Sequence, residues 1–127
     1  MGNLKEILIG TYQMGGLNVE LCWRIGTGGE FWFNPDKGKL PKIVIGMSEK
    51  DFSNALTTLI HEAIEFAATQ RGARFSRSGD YGDSHDGYVF ILAHPELSDV
   101  CGRVGTFIGE CLPEFTTVWK VYNKGKK

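Results

Sequence analysis

Apolar and polar residues alternate along the first third of the chain, which is the pattern of β-strands. LNVELCWRIG, at residues 17–26, predicts a strand whose buried face carries Val19, Leu21, Trp23 and Ile25. TGG then predicts a hairpin turn, and EFWF predicts the returning strand. KIVIGM, at residues 42–47, is apolar without a break and predicts a strand buried on both faces. The opening KEILIGTYQ fits either another strand or a short helix.

The spacing of apolar residues changes to steps of three and four after residue 48, which predicts one long amphipathic helix. Ser48 followed by Asp51 resembles a capping box at the start of this helix, and Gly72 is suited to ending it. We therefore predict a helix over residues 49–71. Its apolar positions are Phe52, Leu56, Leu59, Ile60, Ala63, Ile64 and Ala67.

A polar, glycine-bearing stretch follows the long helix. ARFSRSGDYGDSHDG predicts an exposed loop with a short strand around RFS. YVFILAH predicts a strand that runs into Pro95, a residue suited to the first position of a second helix. Pro113 is expected to break that helix, so that EFTTVWKVYN adds only a last helical turn or two.

The second helix, PELSDVCGRVGTFIGECL, carries apolar and small residues on neighbouring sides. Its apolar side consists of Leu97, Cys101, Val104, Ile108 and Cys111, and its small side consists of Gly102, Gly105 and Gly109. Each glycine inside a helix costs about 1 kcal/mol relative to alanine, so something should offset that loss. We infer that the glycine side packs closely against the first helix, on the surface formed by Ala63, Ala67 and Ala68.

These elements predict an α+β fold in which a small antiparallel or mixed sheet packs with two main helices. A chain of 127 residues buries one core, so we expect a single domain over residues 1–127. Its 42% hydrophobic and 23% charged residues are ordinary for a soluble globular protein. The formal net charge of −1 gives no long-range attraction to nucleic acid, so we expect no nucleic-acid partner.

The sequence also limits the expected compartment. No apolar run approaches the roughly 20 residues of a membrane span, and MGNLKEILIG lacks the apolar core of a signal peptide. We therefore expect no membrane contact and a cytoplasmic location. Cys22, Cys101 and Cys111 are odd in number, form no CxxC pair and sit among apolar residues, which predicts buried, reduced thiols.

The helix over residues 49–71 carries a candidate metal site in the string HExxE. His61 and Glu65 lie one turn apart, with Cβ atoms about 6 Å from each other, so both side chains can bind one ion. A carboxylate oxygen binds Zn²⁺ at about 2.0 to 2.2 Å, close to the distance for an imidazole nitrogen, so Glu65 is an acceptable ligand. Glu62 projects beside this pair and is suited to act as a general base. An exposed histidine beside a solvated acidic face is the competing interpretation.

A catalytic zinc site needs a third protein ligand, and His85 and His94 are the remaining histidines. We favour His94, because it lies at a junction between a strand and a helix, whereas His85 lies in the glycine-bearing loop. In that loop, Asp80, Asp83 and Asp86 are three residues apart, unlike the alternating ligands of a calcium loop. We interpret the loop instead as a solvated lid, in which the candidate donors to an oxyanion are His85, Tyr81 and Tyr88.

ALTTLIHEAIEFA, together with YVFILAHPELSDVCGRVGTFIGECLPE, resembles the short zincin-like proteins of bacteriophages and prophages, which are minimal metallopeptidase-like domains. In that family a helix reading HExxE or HExxH is followed by a histidine that precedes the second helix. Carried over to this chain, His61 and Glu65 match the helix ligands, Glu62 the base and His94 the third ligand. The resemblance covers residues 42–120 and implies a zincin-like fold and a location in the cytoplasm of a bacterial host.

This chain departs from the family at two points. The loop over residues 76–87 is longer than the family leads us to expect, and a carboxylate replaces an imidazole among the ligands. Three functions therefore stay open. The first is a zinc-dependent, peptidase-like hydrolase that acts on a peptide or protein with Glu62 as general base. The second is a non-enzymatic, metal-stabilised phage protein that binds a host or virion partner, and the third is a metal-free α+β interaction module.

Overall fold

The computed structural model describes residues 5–33, 37–76 and 88–124, and within them the chain forms a four-stranded sheet, a two-stranded sheet and two helices. The predicted α+β class is confirmed. In chain order the elements are β1 (Ile7–Met14), β2 (Leu17–Arg24), β3 (Gly29–Trp32), β4 (Lys42–Gly46), α1 (Phe52–Gln70), β5 (Arg74–Ser76), β6 (Tyr88–Phe90) and α2 (His94–Asn123).

The larger sheet is mixed, with the strand order β1-β2-β4-β3. β2 pairs antiparallel with β1 and parallel with β4, and β3 pairs antiparallel with the far side of β4. The predicted hairpin between β2 and β3 is therefore wrong, because β4 lies between them. Ile43, Val44 and Ile45 of β4 are fully buried, as its unbroken apolar run predicted. A strand that is apolar on both faces buries the most surface in the middle of a covered sheet.

Both helices contribute to the core beside the sheet. The buried sheet residues of this core are Met14, Val19, Leu21, Ile43, Ile45 and Met47, and the buried helix residues are Ala55, Leu59, Ala63, Phe66, Ala67, Val100, Phe107, Cys111 and Phe115. Not every strand residue faces the helices, since Ile25 is 61% exposed instead of completing the predicted buried face of β2. Trp32 of β3 is also exposed, with the Lys42 ammonium 4.7 Å from the centre of its ring.

The predicted long helix is present as α1, with a different start from the one expected. Asp51 is its N-cap residue and makes no side-chain cap hydrogen bond, so the predicted capping box is wrong. The Ser48 hydroxyl instead accepts a hydrogen bond from the backbone N–H of Gly26 at 2.8 Å, in the segment between β2 and β3. Gly72 follows the end of α1 with a φ of 72°, the left-handed conformation that glycine adopts most easily.

Helix α2 continues through Pro113 to Asn123, so the predicted break is wrong. A proline inside a helix lacks the N–H that would bond the carbonyl four residues earlier, and its ring crowds that carbonyl. Here the affected carbonyl belongs to Gly109, and both Gly109 and Pro113 are exposed, so water can satisfy it. Within the described chain, neither α1 nor α2 combines the length and apolar character needed to cross a bilayer.

The buried face of α2 is rotated from the predicted one. Its fully buried residues are Val100, Phe107, Cys111 and Phe115, whereas Leu97 is 46% exposed and Cys101 is exposed. Side chains added at Gly102, Gly105 and Gly109 would meet no atom within 4 Å, so the inferred packing of these glycines against α1 is wrong. The two phenylalanines bury the most surface, and turning them inward turns the glycines to solvent. The prediction of three buried thiols holds only for Cys22 and Cys111.

Candidate metal and catalytic site

The HExxE string lies in the middle of α1, and its histidine and second glutamate point to one place. Nε2 of His61 is in direct contact with Oε2 of Glu65. The His61 side chain is 62% exposed, whereas the Glu65 side chain is 16% exposed. The two donor atoms thus converge as the spacing of four residues predicted. Their convergence suits a shared divalent cation, and it also suits an ion pair between a protonated imidazole and a carboxylate.

Glu62 is the buried member of the string. It is 8% exposed and is the sole charged residue classed as buried within the described part of the chain. Its side chain lies on the side of α1 that faces β3, where a Cβ built on Gly29 would come within 3.0 Å of the Glu62 Cγ. The interpretation of His61, Glu62 and Glu65 as a uniformly solvated polar face is therefore wrong for Glu62.

Strand β3 forms the wall opposite Glu62. It is the last strand of the sheet, so among the described residues its second edge has no strand partner. Phe31 and the following Phe33 both pack against Phe66 of α1, with ring centres 5.8 and 5.2 Å apart respectively. These two ring contacts fix β3 along α1 one turn beyond Glu62. The buried side chain of Glu62 thus packs against a strand that lies at the edge of the sheet formed by the described residues.

Sequence reasoning missed the contribution of Gly29 and Thr58 to this seam. A Cβ on Gly29 would lie 2.9 Å from Cγ2 of Thr58, so the strand and the helix approach more closely than a larger residue allows. The available signal was the glycine pair in TGG, which we interpreted only as a turn. Gly28 does have the positive φ of a turn residue, at 75°, whereas Gly29 is the first residue of β3.

His94 is the first residue of α2 and is exposed, so its predicted position at the start of this helix is confirmed. It does not join His61 and Glu65 in this structure. Among the described residues, no group of three or more His, Cys, Asp or Glu side chains lies close enough together to hold a metal ion. The residues present thus fit two positions of a zinc site, and the assignment of His94 as third ligand stays a prediction.

The beginning of α2 is tied to the end of α1 near His94. Asp99 accepts a hydrogen bond from Nε of Arg103 at 2.7 Å and lies 3.5 Å from Nε of Arg71. The carboxylate of Glu96 accepts a hydrogen bond from the backbone N–H of Ala93 at 3.0 Å. The helical turn that carries His94 is therefore held by the hydrogen bond between Ala93 and Glu96 and by the contacts of Asp99 in the next turn.

The remaining candidate residues lie in the long loop. His85 and Tyr81, with Asp80, Asp83 and Asp86 of the weighed calcium site, lie outside the described residues. Tyr88 belongs to β6, and only its backbone is described. Their roles as donors to an oxyanion stay predictions.

No family model matches the chain, and comparison with curated proteins and with solved structures finds no match either. The resemblance to the phage zincin-like proteins therefore stays a prediction.

Proposed function

We propose that the protein is a zinc-dependent, peptidase-like hydrolase in which Glu62 is the general base. One observation carries this proposal: a buried glutamate next to a convergent His61–Glu65 pair packs against β3, the last strand of the sheet among the described residues. Removing a carboxylate from water is costly, and an ordinary amphipathic helix places an apolar residue at such a position. Buried carboxylates beside a cleft are typical of sites whose chemistry needs them.

The residues of α1 would have different roles in such a site. His61 and Glu65 would hold Zn²⁺, with His94 as the third ligand, and the ion would supply Lewis acidity at that point when bound. Glu62 would take a proton from the attacking water and deliver it to the leaving amine. Its Cγ lies close to Gly29 of β3, and this packing would restrict rotation of the side chain.

The position of β3 at the edge of the sheet, among the described residues, favours an extended peptide as the substrate. A peptide that adds to a strand edge forms backbone hydrogen bonds whatever its sequence, and it lies alongside the strand that binds it. Four residues of β3 present about 13 Å of edge, which matches about four residues of an extended chain. A peptide bound along this edge would lie beside the strand against which Glu62 packs.

The decisive experiment compares Glu62→Gln with the wild-type protein. Zinc content by elemental analysis and cleavage of a quenched fluorescent peptide library are measured on the same samples. Glu62→Gln is expected to bind zinc as the wild type does and to lose about 10² to 10⁴-fold in cleavage rate, the usual contribution of a general base. Glu49→Gln, which lies before α1, is the matched control and keeps full activity. Cleavage by Glu62→Gln at the wild-type rate would refute the proposed mechanism.

A second candidate function is a non-enzymatic, metal-stabilised protein that binds a partner. It is favoured by Glu65, which places an anionic carboxylate where an HExxH helix has a second imidazole. An anionic ligand also makes a coordinated water less acidic than neutral ligands do, which weakens hydrolysis. In this case a chelator lowers the melting temperature, yet the zinc-loaded protein cleaves no peptide in the library. A metal-free interaction module would bind no zinc even after purification from metal-replete medium.

A further inference from the structure

We propose that Gly29 is a positioning residue that holds Glu62 in place by allowing β3 to lie against α1. This inference rests on the proposed function, because it concerns the placement of the proposed base. Gly29 does not have a positive φ, so its backbone conformation does not require glycine. Its role must come from the space that a side chain would fill.

That space is already occupied from three directions. A Cβ on Gly29 would lie 2.9 Å from Cγ2 of Thr58, 3.0 Å from Cγ of Glu62 and 3.1 Å from Cδ1 of Ile45. Ordinary contacts between carbon atoms lie at about 3.5 to 4.0 Å, so an added methyl group must displace its neighbours. The two closest neighbours both belong to the face of α1 that carries the proposed base.

The strand has little freedom to move away from such a methyl group. Gly29 pairs with Ile45 of β4, and the backbone N–H of Gly46 donates to the carbonyl of Gly28 at 2.7 Å. Further along the strand, the rings of Phe31 and Phe33 lie on Phe66 of α1. With β3 held at both ends, an added methyl group displaces the Glu62 and Thr58 side chains.

Thr58 offers the means to relieve this displacement. Its hydroxyl donates to the backbone carbonyl of Asn54 at 3.1 Å, and its methyl group is the atom nearest to the added Cβ. Thr58→Ser removes that methyl group and keeps the hydroxyl. The substitution therefore removes the shortest of the three contacts and keeps the hydrogen bond within α1, so that an alanine at position 29 can shift toward residue 58 and away from Glu62.

The test is a double-variant cycle on the zinc-loaded full chain, with a quenched fluorescent library of random octapeptides as probe. Gly29→Ala is expected to lower kcat at least tenfold while KM changes less than threefold, because a displaced base slows the chemical step. Adding Thr58→Ser to Gly29→Ala is expected to restore at least half of the lost kcat on a logarithmic scale. Thr58→Ser alone is the reference for the cycle. Gly105→Ala, at an open position of α2, is the matched glycine control and keeps the wild-type kcat.

Each outcome is decisive. If Gly29→Ala keeps the wild-type kcat while Glu62→Gln is inactive, the positioning role is wrong and the proposed function stands. If Glu62→Gln is as active as the wild type, the proposed function itself fails. A loss in Gly29→Ala that Thr58→Ser does not restore overturns the spacing argument. Should Gly29→Ala unfold, the cycle is repeated in a background with alanine at residues 102, 105 and 109, which stabilises α2 away from the site.

Discussion

Replacing the three exposed glycines of α2 by alanine is expected to stabilise the protein. Gly102, Gly105 and Gly109 lie inside a helix, where glycine loses more backbone entropy on folding than alanine does. A methyl group at each position would enter open space, with no atom within 4 Å. The gain in helix propensity is therefore not offset by a clash.

The magnitude follows from the position of each glycine. An exposed interior glycine changed to alanine contributes about 0.5 to 1 kcal/mol, so the triple variant should gain about 2 kcal/mol in the free energy of unfolding. For a chain of this size, 1 kcal/mol corresponds to about 4 °C, which predicts a rise of about 8 °C in melting temperature. The three methyl groups all point to solvent, so their effects should add.

Thermal unfolding followed by circular dichroism measures this effect, with urea unfolding as a check on the free energy. Gly46→Ala is the contrasting variant, because its Cβ would overlap the backbone carbonyl of Gly26 and must destabilise the protein. A triple variant in α2 that melts at or below the wild-type temperature would refute the reasoning. It would mean that the glycine side of α2 is covered, as the sequence pattern first suggested.

Two further predictions concern the titratable groups of the core. Burial raises the pKa of Cys22 to about 11 and that of Cys111 to about 12, so at pH 8 a thiol reagent should modify the exposed Cys101 in the native protein and all three thiols only after unfolding. Burial and the hydrogen bond to Glu114 raise the pKa of Tyr12 above its usual value, so its contribution to stability is complete below pH 10 and is lost as the pH rises further. The difference in unfolding free energy between wild type and Tyr12→Phe should therefore shrink between pH 10 and 11, and a constant difference would contradict the assignment.

Local patterns predicted the elements that depend on local spacing. Helix α1 follows from seven apolar residues at steps of three and four, and the central place of β4 follows from its apolar run. The pairing of β3 could not be predicted in the same way. Its turn signal shows only that the chain reverses, whereas β4 enters the sheet between β2 and β3 later in the sequence.

The face of α2 shows how side-chain volume decides between two equal patterns. The predicted stripe through Leu97 and Cys101 and the observed stripe through Val100 and Phe107 meet at Cys111, so spacing alone does not separate them. The core accepts the stripe with the larger side chains, because it buries more apolar area. The exposure of the glycines to solvent is a result of burying this stripe and does not cause it.

The candidate site was likewise predictable only in part. The contact between His61 and Glu65 follows from helix geometry, so the sequence was sufficient to predict it. The burial of Glu62 depends on β3 being the edge strand beside α1, and strand order is set by contacts between residues distant in the sequence. The placement of His94 depends on the orientation of α2, which the spacing of residues along the helix did not predict.

The pair formed by His61 and Glu65 contributes little to the stability of α1. An exposed ion pair four residues apart on a helix contributes about 0.5 kcal/mol at most, so the fold gains little from His61 and Glu65. Glu62 is 8% exposed, and a buried carboxylate loses its hydration, a cost that its interactions within the protein must offset. Gln is similar to Glu in volume and keeps an acceptor oxygen, so Glu62→Gln should keep the packing of this side chain against β3. Equal melting temperatures of the two proteins then show that a loss of cleavage in that variant reports on the reaction itself.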